Sequence, residues 1–169
     1  MRKVTLITGG QRSGKSSYAQ KLAEEVSENP VYLATARYWD EDFTERIRRH
    51  QSDRGEQWET IEEDHHLSNV KLAGRTILLD CITLWLTNLF HDCNYNSEKA
   101  LDKAKQEWKI FTRSDNHLYV VTNEIGMGIH GGSDISRKFT DLQGWMNQHI
   151  ARQADEVILM VSGIPVKIK

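Results

Sequence analysis

Short apolar runs recur along the chain, and each is apolar on both faces, as strands covered by helices on two sides are. The predicted strands are Val4–Thr8, Val31–Thr35, Thr76–Cys81, Leu118–Asn123 and Val157–Ser162. Polar stretches with helical periodicity separate them, and the predicted helices are about Lys15–Ser27, Asp42–Arg54, Thr83–Phe90, Ser97–Ser114 and Ile135–Ala151. This alternation predicts an α/β fold with a mostly parallel sheet and right-handed crossovers. Pro165 and the closing run Val166–Ile168 predict a short terminal strand in an edge hairpin with the fifth strand.

Length and composition predict a single domain over residues 1–169. The chain is 38% hydrophobic and 27% charged, with a formal net charge of −2. Domains that bind nucleic acid usually carry a basic excess, so we do not expect that partner. No apolar run approaches the roughly 20 residues that span a bilayer. The N-terminal residues lead directly into a glycine-rich loop, and Cys81 and Cys93 are typical of reduced thiols, so we expect a cytoplasmic protein.

A phosphate-binding motif follows the first predicted strand. It has the pattern of a glycine, any four residues and then Gly-Lys-Ser/Thr, and its members are Gly9, Gly10, Gln11, Arg12, Ser13, Gly14, Lys15 and Ser16. Glycines let the backbone curl so that its N–H groups and the next helix's N-terminus point at phosphate oxygens. The strand before and the helix after it favour a P-loop over a glycine turn that ends in Lys-Ser by chance. Lys15 is predicted to contact the β- and γ-phosphates, and the Ser16 hydroxyl to ligate Mg²⁺.

A second predicted strand ends in a carboxylate at Asp80. An acid at the end of a neighbouring strand is the usual partner of the P-loop hydroxyl in a magnesium site. The alternative is that Asp80 caps a helix that begins at Ile82 or Thr83. Ser16 and Asp80 together are the predicted metal ligands.

The P-loop alone does not distinguish nucleotide and metabolite kinases, GTPases and ATPase subunits. The Asn-Lys-x-Asp stretch with which GTPases read guanine is absent from the sequence. The arginine-rich lid of nucleoside monophosphate kinases has only a weak counterpart in this sequence, at Arg46, Arg48 and Arg49.

Motifs spread along nearly the whole chain resemble one enzyme family. They are Thr8–Ser16, Tyr32–Ala36, Arg46–Gln51, Trp58–Glu62, Leu79–Thr83, Thr87–Leu89, Val121–Ile129, Gly144–Gln148, Ala154–Val157 and Val161–Pro165. Many families share the P-loop, but Asn123–Ile129 and Val161–Pro165 are much more specific. On these segments the chain resembles the bifunctional adenosylcobinamide kinase/adenosylcobinamide-phosphate guanylyltransferases of cobalamin assembly.

The resemblance implies a RecA-like P-loop NTPase fold, a homotrimer and two successive reactions. The first uses ATP or GTP to phosphorylate the terminal hydroxyl of the aminopropanol arm of adenosylcobinamide. The second transfers GMP from GTP to that phosphate and releases pyrophosphate.

The resemblance also places a GMP-carrying histidine at His50. A neutral imidazole is a good nucleophile toward phosphorus at cytosolic pH. The residues alone do not single out His50 among seven histidines, because the pair His65-His66 and His130 compete with it. On a predicted helix, Arg46 would share the face of His50 and could bind phosphate oxygens.

Further site residues follow from the same resemblance. Glu62 and Asp80 correspond to acids that bind the guanine nucleotide or its metal. The segments that line the nucleotide site are Ala34, Thr35 and Ala36, and then Gln51, Ser52, Asp53 and Arg54. Glu124 lies where a carboxylate could accept the substrate hydroxyl proton in the kinase step, the alternatives being a helix cap or a structural hydrogen-bond acceptor.

Two other functions stay open at this point. One is a P-loop kinase of a small metabolite without guanylyltransferase activity, in which His50 is structural. The other is a regulatory module that binds nucleotide without turnover. Intact Lys15, Ser16, Asp80 and His50 argue against the module, since pure binding needs no nucleophile.

Overall fold

The computed structural model describes residues 1–37, 55–128 and 131–169. Its strands are β1 (Lys3–Gly9), β2 (Val31–Ala34), β3 (Glu59–Glu62), β4 (Thr76–Asp80), β5 (His117–Val121), β6 (Glu156–Val161) and β7 (Ile164–Lys167). Its helices are α1 (Lys15–Val26), α2 (Ile82–Asp92), α3 (Ser97–Phe111) and α4 (Asp134–Gln153), with a short 3-10 turn at Leu67–Asn69. Within the described residues, this confirms the predicted α/β class.

The strands form one sheet in the order β3-β2-β4-β5-β1-β6-β7. All neighbouring pairs are parallel except β6 and β7, which form an antiparallel hairpin at the edge. Strand β5 lies between β1, which leads into the P-loop, and β4, which ends at Asp80. The carboxyl ends of these three strands therefore meet at one edge of the sheet, which is where parallel sheets bind ligands.

Helices cover both faces of the sheet. On one face, strand residues such as Leu6 and Leu79 pack with Trp85 of α2 and Trp108 of α3, and all four are almost fully buried. On the other face, Ile7 and its neighbours pack against α1. Burial of apolar side chains on both sides is the main stabilising term for this sheet, and it explains why its strands are apolar on both faces.

The predicted strands and the terminal hairpin are confirmed, with strand ends one or two residues from the expected positions. Four predicted helices are also confirmed, and the fifth, Asp42–Arg54, lies outside the described residues. The sequence did not predict β3, an edge strand in which only Ile61 is even half-buried. Cys81 and Cys93 are free thiols, as expected. Over the described ranges, every helix is too short or too polar to cross a membrane.

Candidate functional site

The P-loop backbone has a shape that only glycine allows at two positions. Gly9 has φ 153°, and a Cβ there would lie 2.6 Å from the Met160 carbonyl oxygen and 2.8 Å from the Ser13 hydroxyl. Gly14 has φ 89° and occupies the N-cap of α1, where no side chain caps the helix. The first N–H groups of α1 therefore stay available to an anion.

The loop rests on the β6–β7 hairpin. The Ser13 carbonyl accepts a hydrogen bond from the Gly163 N–H at 3.0 Å, and Gly163 Cα lies 3.4 Å from the position of a Cβ on Gly14. The segment Val161–Pro165 thus packs against the phosphate loop and supports it. Much of the family likeness rests on this segment.

Lys15 is buried in this loop, with 7% of its surface exposed. Its Nζ donates to the Gly10 carbonyl and, at 3.4 Å, to the Ser13 hydroxyl. Burial lowers the pKa of Lys15, although the nearby Cys81 and Asp80 oppose this shift. A desolvated cation held by neutral oxygens gains most from an anionic partner such as a phosphate group.

Asp80 stands at the end of β4 within electrostatic range of Lys15. Its Oδ2 accepts a hydrogen bond from the Tyr32 hydroxyl at 3.0 Å. The N-cap of α2 is Cys81 rather than Asp80, so the alternative of a helix-capping aspartate is wrong. Burial raises the pKa of the Cys81 thiol to about 12, so this thiol stays protonated and is a poor nucleophile.

Ser16 and Asp80 can supply oxygen ligands to a magnesium ion. Among the described residues, nothing hydrogen-bonds to the Ser16 hydroxyl or to Asp80 Oδ1. Hydroxyl and carboxylate oxygens are the ligand types that Mg²⁺ prefers, and it commonly binds one or two protein groups plus substrate phosphates. The described part of the chain contains no group of three or more His, Cys, Asp or Glu side chains that would hold a metal by itself. The donor set therefore fits a cation shared with a nucleotide.

The other predicted nucleotide contacts lie along the same sheet edge. Ala34 pairs with Glu62 of β3 on one side and with Asp80 of β4 on the other. The Thr35 hydroxyl, which is fully buried, donates to the Cys81 carbonyl at 2.8 Å and accepts from the Cys81 N–H at 2.9 Å. Its hydroxyl thus ties β2 to β4, whereas Ala36 is half-buried and Glu62 is exposed at this edge.

Glu124 follows β5 and is bonded through its backbone to the P-loop. Its N–H donates to the Gly9 carbonyl at 3.0 Å. Helix α4 is capped by Ser133, so Glu124 is not a helix cap. Within the described residues, no group donates a hydrogen bond to its carboxylate, so the structural-acceptor alternative has no partner there. The backbone of Glu124 lies beside the phosphate loop.

A buried polar network holds the segment that carries Glu124. Thr122 Oγ1 donates to Asn147 Oδ1 at 2.7 Å and accepts from Gln143 Nε2 at 2.8 Å. Asn147 Nδ2 donates to the Asn123 carbonyl at 3.1 Å. The Asn123 N–H donates to the Thr83 hydroxyl at 3.0 Å. Sequence reasoning missed this network, although Asn147 belonged to a segment that carried the family likeness.

Removing the Asn147 amide should measurably destabilise the protein. Asn147→Leu leaves the half-buried Asn123 carbonyl without its donor and the fully buried Thr122 hydroxyl without its acceptor, which typically costs about 1–3 kcal/mol. The free energy of unfolding in urea measures this loss. Gln148→Leu is the matched control, because within the described residues the only side-chain hydrogen bond of that exposed amide comes from the exposed Arg152. Equal stability of the two variants would contradict the role given to the network.

An ion cluster next to Ala36 was also missed. Arg37 donates to Asp64 at 2.7 Å and to both oxygens of Asp92 at 3.0 and 3.1 Å. The hydrogen bond to Asp92 has the largest effect and the bond to Asp64 the next largest, and both raise the pKa of the Arg37 guanidinium. In return, Arg37 holds the pKa of Asp92 well below its usual range. The cluster fixes the chain that leaves β2 beside the site. Its members are far apart in sequence, so no local pattern indicates it.

His50 lies outside the described residues, as do Arg46 and the segment of Gln51, Ser52, Asp53 and Arg54. The competing pair is described: His65 Nδ1 lies 3.1 Å from Asp92, and His66 Nδ1 lies 3.3 Å from Glu107. Both rings are thus held by carboxylates of other elements.

Comparison with known sequences identifies the protein family to which this site belongs. The family model for cobinamide kinase / cobinamide phosphate guanyltransferase matches residues 5–168. The bifunctional adenosylcobalamin biosynthesis protein CobU of Escherichia coli (strain K12) is 37% identical, and the match covers 97% of this chain and 98% of that protein. CobU of Salmonella typhimurium (strain LT2) is 38% identical with the same coverage. CobP of Pseudomonas aeruginosa is 36% identical over 97% of this chain and 96% of its own length.

Solved structures share the fold at low sequence identity. A Pyrococcus horikoshii OT3 protein, Project ID PH0250, has a TM-score of 0.57 at 7% identity, covering 99% of this chain and 86% of that one. A prototypical ATPase from the type III secretion system of pathogenic bacteria has a TM-score of 0.55 at 8% identity, covering 94% of this chain and 51% of that one. At such identities the likeness concerns the fold alone, and it confirms the P-loop NTPase architecture.

Proposed function

The chain belongs to the cobinamide kinase / cobinamide phosphate guanyltransferase family. On this basis we propose which of its residues act in each of the two reactions. It is a transferase of adenosylcobalamin biosynthesis that phosphorylates cobinamide and guanylylates the resulting phosphate. The observation that carries this function is the family match over residues 5–168. The P-loop, Asp80 and Glu124 converge at one sheet edge, which supports it.

In the kinase step, the P-loop binds the nucleoside triphosphate, either ATP or GTP, and Glu124 acts as the general base. Its carboxylate accepts the proton of the substrate hydroxyl while the hydroxyl oxygen attacks the γ-phosphorus. The bond from the γ-phosphorus to the bridging oxygen breaks, and the nucleoside diphosphate leaves. Lys15 stabilises the negative charge on the phosphate oxygens.

Ser16 and Asp80 would hold Mg²⁺ beside those phosphates. When bound, the ion supplies charge stabilisation at the β- and γ-oxygens. Within the described residues, the Ser16 hydroxyl and Asp80 Oδ1 have no hydrogen-bond partner, which supports this assignment. Asp80 is kept in place by the Tyr32 hydroxyl, and the ion would also offset the negative charge of the nucleotide.

In the guanylyltransferase step, His50 attacks the α-phosphorus of GTP, and pyrophosphate leaves. A phosphate oxygen of adenosylcobinamide phosphate then attacks the same phosphorus and releases His50, so the imidazole ends unchanged. Two displacements through one covalent adduct suit a site where donor and acceptor bind in turn. Our proposed nucleotide site also includes Ala34, Thr35, Ala36 and Glu62, together with the segment of Gln51, Ser52, Asp53 and Arg54.

The assembly and the location of the protein are further proposals. The family likeness favours a homotrimer that works in the cytoplasm on soluble substrates. Analytical ultracentrifugation would test the trimer directly.

Replacing Glu124 with glutamine separates the two reactions. The amide cannot accept the hydroxyl proton, so the rate of phosphorylation should fall by about 10²-fold or more. Guanylylation of supplied adenosylcobinamide phosphate should stay near the wild-type rate, because that acceptor needs no deprotonation by Glu124. The two rates are measured separately on one preparation. Equal loss of both would assign Glu124 a structural role.

The proposed function itself is tested by product analysis. Protein, Mg²⁺ and GTP are incubated with adenosylcobinamide, and the corrinoids are identified by mass spectrometry. We expect the phosphate first and the GDP derivative later, with pyrophosphate released in equal amount to the latter. Formation of the phosphate alone would leave only a kinase. Unchanged corrinoid despite bound nucleotide would favour a regulatory module.

A further inference from the structure

A basic cavity lies far from the P-loop. It has a volume of about 700 Å³, lies between α3 and α4, and includes Arg2, which directly precedes β1. Because the P-loop follows the opposite end of β1, the cavity lies at the amino-terminal edge of the parallel sheet. It is therefore separate from the site described above.

The lining of this cavity is strongly positive. It contains Arg2, Lys105, Lys109, Arg113 and His149, and its other three residues are uncharged. Of the residues that the structure describes, no carboxylate lines the cavity, although the whole chain has 24 acids against 22 Lys and Arg. Burial lowers the pKa of His149, and Lys105 and Arg152 lower it further, which is the response expected of a site with positive potential.

Neutralisation of helix ends accounts for Arg2 but not for Lys105, Lys109 and Arg113. Both helices end here, and C-terminal carbonyls do attract positive charge. However, the Thr112 carbonyl after α3 accepts from Arg2, and the Ala154 carbonyl after α4 accepts from Lys169 at 2.6 Å. Lys105, Lys109 and Arg113 form no side-chain hydrogen bond or ion pair with any residue in the described ranges. Within the described residues, no ion pair neutralises the positive charge of these three side chains.

We propose that this cavity, the basic cleft, binds the polyphosphate chain of a small molecule. Lys105 and Lys109 lie one helical turn apart on the same side of α3, and Arg113, two residues beyond the end of α3, lines the same cavity, so the three cations form a row along it. A row of cations matches a linear polyanion better than a single phosphate, and Lys and Arg are the usual phosphate ligands.

An adjoining cavity of about 370 Å³ extends the basic cleft toward an aromatic side chain. The two cavities share Lys105 and His149, and the second also includes Trp145, which is 44% exposed. An indole of this exposure offers a face on which a nucleobase stacks. Inorganic polyphosphate and a nucleoside triphosphate both carry the phosphate chain that the cations would bind. Only the nucleoside triphosphate also has a base that could stack on Trp145.

The test is calorimetric titration with inorganic tripolyphosphate. Lys15→Ala protein is used so that the P-loop contributes little. In this background, Lys109→Glu/Arg113→Glu should weaken binding roughly tenfold or more, because charge-assisted contacts are lost. Lys99→Glu/Lys103→Glu is the matched control, since it makes the same charge change at exposed positions of α3 that do not line the cleft. Thermal melts establish that all variants are folded.

Unchanged affinity in the cleft variant, or an equal loss in the control, would overturn the proposal. The same proteins are then titrated with GTP. Tighter binding of GTP than of tripolyphosphate, lost in Trp145→Ala, assigns the basic cleft to a nucleotide. Equal affinities that Trp145→Ala leaves unchanged assign it to inorganic polyphosphate. Capture of nucleic acid or anionic vesicles without any binding of tripolyphosphate would also overturn the proposal.

Discussion

Replacing Lys15 with alanine is expected to reduce both phosphoryl transfer and guanylyl transfer by about 10²–10³-fold. The ammonium group is buried at the start of α1, and among the described residues it is hydrogen-bonded only to the neutral oxygens of Gly10 and Ser13. It is therefore placed to stabilise charge on a triphosphate, whichever bond of that triphosphate breaks. Initial rates of the two reactions, each with its own acceptor, measure the effect. Lys21→Ala, an exposed lysine of the same helix, serves as the control.

The same substitution should not destabilise the fold. Because burial lowers the pKa of Lys15, the folded protein binds this proton less tightly than the unfolded chain does. The charged lysine consequently costs stability at neutral pH, and that cost disappears as pH rises through its lowered pKa toward the ordinary value. Alanine removes the cost, so the melting temperature of Lys15→Ala should equal or exceed that of the wild type. A clear drop in the melting temperature would mean that Lys15 supports the loop itself and that lost activity reports unfolding.

Much of the fold was predictable because burial on both faces leaves a strong signal. Val31–Ala34 and Thr76–Asp80 are apolar runs between polar helices, and the structure has strands there. Strand β3 was not predictable in this way. It is an edge strand whose Glu59, Thr60 and Glu62 are exposed, so its four residues carry almost no apolar pattern. Its position follows from pairing with β2, which is a tertiary effect.

The ends of elements depended on local bonds that the hydrophobic pattern does not contain. Thr35 was expected to end β2, but its hydroxyl is bonded to the backbone of Cys81 and the strand stops at Ala34. Helix α4 begins at Asp134, one residue before the expected start, because Ser133 and Ser136 form a capping box.

The candidate site divides in a similar way. The P-loop is one contiguous motif, Asp80 ends β4 and Glu124 follows β5 closely, so sequence alone could propose these residues. The supports of these residues were not, since Tyr32, Arg37 and Asn147 reach their partners across the fold. A single sequence contains spacing and periodicity, but it does not contain the packing that brings distant polar groups together.

Replacing His50 with alanine should abolish covalent labelling of the protein by GTP carrying radiolabel at the α-phosphate. Without the imidazole no phosphoramidate forms, so label should fall below detection and guanylyl transfer should fall by about 10³-fold or more. Phosphorylation of adenosylcobinamide should continue, because that step uses the γ-phosphorus and Glu124. In wild-type protein the adduct should be labile in acid and stable in base, as expected for a phosphorus–nitrogen bond.

The control for this experiment is His66→Ala. The His66 side chain is 57% exposed and paired with Glu107, so its loss should leave labelling intact. Label that survives in His50→Ala but disappears in another histidine variant would move the nucleophile to that residue and keep the two-displacement route. Wild-type protein that turns over corrinoid without ever taking label would instead favour direct attack of the corrinoid phosphate on GTP. The P-loop would then serve both reactions as one binding site, and His50 would have to act by contact with the nucleotide rather than by bonding to it.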